Sequence, residues 1–234
     1  MSRKIVVAGV AVAAVLLAAV SSYVLFRSPT PQDVTVIDES GGTSIDEPAL
    51  RTTLGELSTG TLSDAETAGI LYMREEEKLA HDVYSLLFEQ WNLPIFANIA
   101  SSEQTHTTAV KMLIDRYELE DPATDAPGTF SNAEIQALYD ALVTEGSTSV
   151  RDALVVGAVI EEIDLLDLQN RIAGTDNEDI RLVYENLMKG SRNHLRAFVS
   201  TLARQGYDYT PQYLSQEEYE TIISSSIERG QGRI

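Results

Sequence analysis

No cysteine occurs in the 234 residues, so no disulfide braces the fold, and its stability must come from packing and, if one binds, a metal ion. Basic residues are scarce too. Lys and Arg number 17 against 36 Asp and Glu, a formal charge of −19. That balance argues against a nucleic-acid partner, whose phosphates need basic patches. The period-two alternation of strands is also missing, and no sheet is expected. Histidine is the rarest of the potential metal ligands present, with three copies, so the positions of those three weigh heavily on any metal-binding reading.

The chain opens with Met1-Ser2-Arg3-Lys4 and then runs uncharged and mostly apolar from Ile5 to Phe26, closed by Arg27. Such a run can cross a bilayer, which takes about 20 apolar residues. It exceeds the usual core of a signal peptide and lacks a clear A-x-A cleavage site. Residues 1–27 therefore read as a single-pass anchor in the cytoplasmic membrane. Arg3 and Lys4 keep its start inside and place the remainder outside; cleavage would make the protein secreted. Residues 28–60 hold Pro29, Pro31, Pro48 and Gly41-Gly42 without periodicity and read as a flexible linker. Residues 61–226 read as one all-α domain, and 227–234 as a disordered tail.

Four long helices are expected. The first opens at Ser63 with Glu66 as a capping box, and its inward line is Ile70, Met73, Glu77, His81, Tyr84 and Phe88. Glu75, Glu76 and Lys78 fall off that line and read as a solvated face. The second carries Phe96, Ile99, Glu103, His106, Val110, Leu113 and Tyr117, in steps of three and four residues. A connection of some 30 residues comes next, with a short helix at 131–145. Such length suits a crossover between helices two and three. The third seam is Val150, Leu154, Ala158, Glu161, Leu165, Leu168 and Ile172, and the fourth is Tyr184, Leu187, Ser191, His194, Phe198 and Leu202. Beyond it, Tyr207 to Tyr213 should pack back as an aromatic strap, with Ser215 and Glu218 starting a last short helix.

All three histidines thus fall on inward seams beside Glu77, Glu103 and Glu161. A single seam histidine is more often a satisfied core residue than a ligand. Several carboxylates and imidazoles spread over four helices are harder to bury without a cation, because each uncompensated carboxylate raises the pKa of its neighbours. Glu162, on an adjacent stripe, Asp164, one turn from Glu161, and His81 form a secondary set. Arg192 and Arg196, flanking His194, are placed to supply part of the neutralising charge.

The stretches MREEEKLAHDVY, FANIASSEQTHTTAV, GAVIEEIDLLDL and GSRNHLRAF resemble the DUF2202 family of ferritin-like proteins from about Leu62 to Tyr219. The wider similarity is to rubrerythrin-like di-iron proteins, in which a Glu precedes a Tyr by seven residues and E-x-x-H comes after. Glu77 with Tyr84, and Glu103 with His106, match those elements. The resemblance implies a ferritin-like four-helix bundle with a dimetal carboxylate site of Glu77, Glu103, His106, Glu161 or Glu162, and His194. Iron is the metal it implies first, with manganese or zinc as alternatives. The fourth helix departs from the pattern, since Ser191 stands where a second E-x-x-H would place a carboxylate; Asp164 or His81 could substitute.

Two functional classes are consistent with these features. One is a metal-carboxylate protein handling iron, O2 or peroxide; with no Cys for a rubredoxin centre, it would be a dimetal oxidoreductase served by an external electron donor. The other is a metal-free or structurally metallated helical module of the cell surface. A homodimer is compatible with either.

Overall fold

The computed structural model describes residues 33–37 and 42–229. The expected membrane span lies outside them, and no helix among the described residues is long and apolar enough to cross a membrane. The described chain is nearly all helical. Its elements run β1 (Thr35–Ile37), β2 (Thr43–Ile45), α1 (Glu47–Glu56), α2 (Asp64–Trp91), α3 (Pro94–Arg116), α4 (Ala133–Gly146), α5 (Val150–Gly174), α6 (Glu178–Arg204) and α7 (Gln216–Ser224).

The boundaries follow from local chemistry. Ser63 and Glu66 close a reciprocal capping box at the start of α2. Asn92 ends that helix in the left-handed region, with φ of 50°, and Pro94 opens α3 at once. This short break turns the chain back on itself. Ser149 caps α5 by accepting from the Asp152 N–H, and Ser215 caps α7 as expected. The short helix starts two residues later than predicted, at Ala133: Asn132 caps α4, while the Ser131 hydroxyl donates to the Pro122 carbonyl.

α2 packs on α3 and α5, and α6 packs on α5 and α3, so the four long helices surround a common interior. The long connection, residues 117–149, lays α4 against α2 and α5. The interior has two apolar regions. Leu79, Val83, Phe96, Ile99, Leu154, Phe198 and Leu202 belong to one, and Ile70, Met73, Val110, Leu113, Leu168, Ile180 and Leu187 to the other. The residues between these sets on the four helices, near 74–78, 103–107, 161–164 and 191–194, include most of the buried charged and polar ones. Apolar packing above and below thus holds a polar layer in place.

Residues 33–37 and 42–60 correct two expectations. They were to be a spacer, and no sheet was expected. Instead β1 and β2 pair antiparallel in the register Thr35↔Ile45 and Ile37↔Thr43, and Val34, Ile45, Leu50 and Leu54 are buried against the α2, α3 and α6 residues of the second apolar region. The strands are three residues each, too short to show alternation, and side chains of the long helices fix them: Asn186 accepts from Val34 N–H at 3.1 Å, and the Thr105 hydroxyl accepts from Ile45 N–H at 2.9 Å. The tail is corrected as well, because Glu228 forms ion pairs with Arg192 and Arg196. Residues 230–234 lie outside the described chain.

Candidate metal centre

The five residues of the main predicted set meet in the polar layer. Glu77 comes from α2, Glu103 and His106 from α3, Glu161 from α5 and His194 from α6, and none exposes more than 2% of its surface. Glu103 is the hub. One carboxylate oxygen lies 2.8 Å from His106 Nδ1 and the other 2.8 Å from His194 Nδ1. Glu77 stands 3.4 Å from His106 Nδ1, and Glu161 stands 3.6 Å from His194 Nδ1. Two triads result, Glu77–Glu103–His106 and Glu103–Glu161–His194, each with one candidate ligand atom per residue inside a 4.8 Å span and with Glu103 common to both. The two imidazole rings stack, 5.5 Å between centroids.

Asp164 joins this layer and His81 does not. Asp164 is buried and accepts a hydrogen bond from the Ser191 hydroxyl, while its other oxygen has no partner. The α6 position that lacks a carboxylate therefore holds one supplied by α5. His81 instead bonds Asp82, 3.0 Å away, at the partly exposed side of α2. Glu162 is also diverted, accepting from Tyr209 O–H at 2.6 Å and from the backbone N–H groups of Gln212, Tyr213 and Leu214. Tyr84 faces Glu161 rather than Glu77, donating to it at 2.5 Å. Arg192 and Arg196 turn to Glu228 and lend the centre no hydrogen bond.

Electrostatics show the cost of this assembly without a cation. Burial pushes the Glu77 carboxyl up to about 8, against the pull of His106. Burial, then Glu103, raises Glu161; burial, then Glu77, holds Asp164 well above the carboxylate range. Burial lowers both imidazoles, but Glu103 outweighs it, with Glu77 helping at His106 and Glu161 at His194, which rises to about 9. Glu103 moves the other way: the two imidazoles overcome its desolvation and depress it. Without an ion, protons must neutralise the site.

The donor set also fits a cation. His194 Nδ1 and Glu103 Oε1 are at hydrogen-bond distance, yet Nδ1 makes no aligned hydrogen bond, and Glu77 Oε1 and Asp164 Oδ1 have no partner. Buried polar atoms normally find partners. Atoms that are close but not aimed at one another are what ligands around a shared ion look like. Behind the centre, the Thr43 carbonyl lies 3.2 Å from His106 Nε2, an outer hydrogen bond of the kind that orients metal-ligating histidines. Gly190 permits this approach, since a Cβ there would meet His106 Cε1 at 2.5 Å.

Glu75, Glu76 and Lys78, read from the sequence as a solvated face, are all buried around this layer. Glu75 is buried and accepts from the N–H groups of Ser131 and Asn132, anchoring the start of α4. Lys78 is buried on Asp82 and lies 4.5 Å from the centre of the Phe130 ring. Glu76 is buried with neither carboxylate oxygen hydrogen-bonded, and burial, then Asp167 and Asp164, raise it well above the usual range. A single seam described α2 badly because α3, α4 and α5 all pack on it. Thr43 had no detectable signal, lying in a stretch without periodicity.

Comparisons with known proteins agree with the helical reading without naming a function. The chain is 56% identical over 181 residues, covering 77% of its own length and 98% of the relative's, to the uncharacterized protein MJ0754 of Methanocaldococcus jannaschii. The crystal structure of that hypothetical protein matches with a TM-score of 0.72 at 57% identity, over 74% of this chain and 99% of the other. Residues 66–226 match the family described as an uncharacterized protein domain, DUF2202, and the chain belongs to that family.

Proposed function

We propose that this protein is a ferritin-like four-helix carboxylate protein whose interior binds about two divalent cations, the number that balances its ionised carboxylates. Glu77, Glu103, His106, Glu161 and His194 would hold them, with Asp164 in place of the carboxylate absent from α6. Iron is the first candidate and manganese or zinc the alternatives, since mixed carboxylate and imidazole donors suit these ions. The reading rests on one observation above all: His194 Nδ1 and Glu103 Oε1 sit 2.8 Å apart in a fully buried layer without an aligned hydrogen bond. Inward E-x-x-H pairs on packed helices are an established way to build such centres.

A bound redox-active ion would supply electron transfer to O2 or peroxide. The chain's own residues shape the surroundings. Glu103 bridges the two histidines, Tyr84 fixes Glu161 by its hydroxyl, and apolar side chains on either side exclude bulk water. With no cysteine in the chain, electrons would come from a separate donor. We place this centre outside the cytoplasmic membrane, on the strength of the apolar run at residues 5–26 and its basic flank.

Elemental analysis of protein purified without chelator tests the proposal, together with melting curves with and without Fe(II), Mn(II) or Zn(II). The wild type should retain metal and melt higher with it. Glu103→Gln should lose the metal-dependent increment, because both triads share that residue. Identical wild-type melting under all conditions would remove the metal reading and leave the helical surface module.

A further inference from the structure

The peptide of Thr43 touches both histidines of the centre, and it treats them oppositely. Its carbonyl lies 3.2 Å from His106 Nε2, and its N–H donates to His194 Nε2 at 3.4 Å. A carbonyl only accepts, so His106 Nε2 must carry a proton, while Nδ1 lies 2.8 Å from Glu103 as a hydrogen-bond partner. An ion that takes the place of the Nδ1 proton therefore leaves the Thr43 contact of His106 intact. An N–H only donates, so the contact at His194 is made only by a ring whose Nε2 is bare and whose proton sits on Nδ1, toward Glu103. His194 cannot keep both that contact and an ion on Nδ1. To bind an ion through Nδ1 it must shift its proton to Nε2, where one buried donor would face another.

The strand is held firmly enough for this to matter. Thr43 is fully buried, its hydroxyl accepts from Asn193 Nδ2 at 2.9 Å, and Ile45 N–H two residues on is tied to Thr105. Thr43 and Ile45 both direct their N–H groups to the long helices, so the contact with His194 takes nothing from the pairing of β1 with β2. The hairpin also lies outside the family match, which begins at residue 66. Whatever it does to the centre is added to the matched domain.

We infer that Thr43 is a positioning residue that makes the two halves of the centre unequal: the first cation enters the Glu77–Glu103–His106 half, and the Glu103–Glu161–His194 half fills only at higher concentration. The inference rests on the metal-centre reading above, and two measurements on the full chain separate its failure from the failure of that reading. Zinc is the probe, being redox-inert, and only three histidines need resolving. In a titration followed by side-chain histidine 15N NMR, the His106 nitrogens should shift to their metal-bound positions during the first equivalent and those of His194 during the second. His81 should stay unchanged. Binding isotherms should show two affinities in the wild type. Thr43→Pro removes the N–H, keeps the carbonyl and falls at the first residue of β2, where proline is tolerated. It should tighten the weaker step by about ten-fold, the scale of one unsatisfied buried donor, with the first step little changed; Thr43→Ser should match the wild type. Simultaneous shifts of His106 and His194, or His194 first, overturn the inference while leaving the centre intact, and so does a Thr43→Pro chain that folds and keeps the wild-type gap. Absence of any zinc-dependent shift at either residue overturns both.

Discussion

Glu103 shows why this centre is a set of coupled protonation states more than a set of positions. It is the depressed carboxylate among raised ones, because the two imidazoles that face it outweigh its burial, whereas at Glu77, Glu161 and Asp164 burial prevails. These shifts set a stability profile for the ion-free protein. Glu77 titrates near 8 in the fold against an ordinary value of 4.5, so between those limits the native state binds a proton that the unfolded chain has lost, and stability falls as pH rises. His194, raised from 6.5 to about 9, acts in the same sense: its contribution is complete below the lower value and is lost through the upper one. Glu103 opposes them only in acid, where its depressed carboxylate loses its contribution as pH falls. Metal-stripped protein should therefore melt highest near about pH 5 to 6 and progressively lower toward pH 9. Metal ions displace these protons and bind more tightly as pH rises, so loaded protein should resist that decline. Calorimetry across the range checks both curves, and ion-free protein that grows more stable toward pH 9 would contradict the proton assignment.

At the scale of elements, the helices were legible because their signals were redundant. Ser63 with Glu66 marked the start of α2, and the repeated steps of three and four from Phe96 to Tyr117 marked the length of α3, each without help from the other. The seams brought the right residues together for the same reason: Glu77, Glu103, Glu161 and His194 interrupt otherwise apolar lines. Residues on neighbouring stripes were ambiguous, because periodicity finds the middle of a buried arc and not its edges. Glu162 and Asp164 lie two residues apart on α5, yet one serves the strap after α6 and the other the polar layer. The strap supplies a test. Glu162→Ala would strip an acceptor from Tyr209 and from three consecutive backbone N–H groups, a loss on the order of 2–4 kcal/mol. Hydrogen exchange across residues 209–214 should accelerate and the melting temperature should drop, with metal stoichiometry unchanged. Lost metal with an intact strap would instead return Glu162 to the centre.

For the whole molecule, the question is what residues 33–60 contribute beyond the matched domain. All the proposed ligands lie on α2, α3, α5 and α6, and the two apolar regions are built mainly from the same helices. On the proposal above, those four helices carry the ligands and most of the core. Val34, Ile45, Leu50 and Leu54 of the preceding segment cover one side of this frame, and its backbone and side chains partner groups of the long helices: Asn186 through Val34 N–H, Asn193 and both histidines through Thr43, and Arg116 through the Leu57 carbonyl. A chain starting at residue 61 should keep its helical circular dichroism and still gain stability from metal. It should unfold more readily by about 2–4 kcal/mol, the range expected when a few buried polar groups lose partners and apolar surface is uncovered. Its two binding steps should also draw together, since the Thr43 peptide is gone. Denaturant unfolding and zinc titration of the two chains side by side decide the matter: loss of helicity in the shortened chain would make the hairpin and α1 part of the folding core, and unchanged stability would show that they merely rest on it.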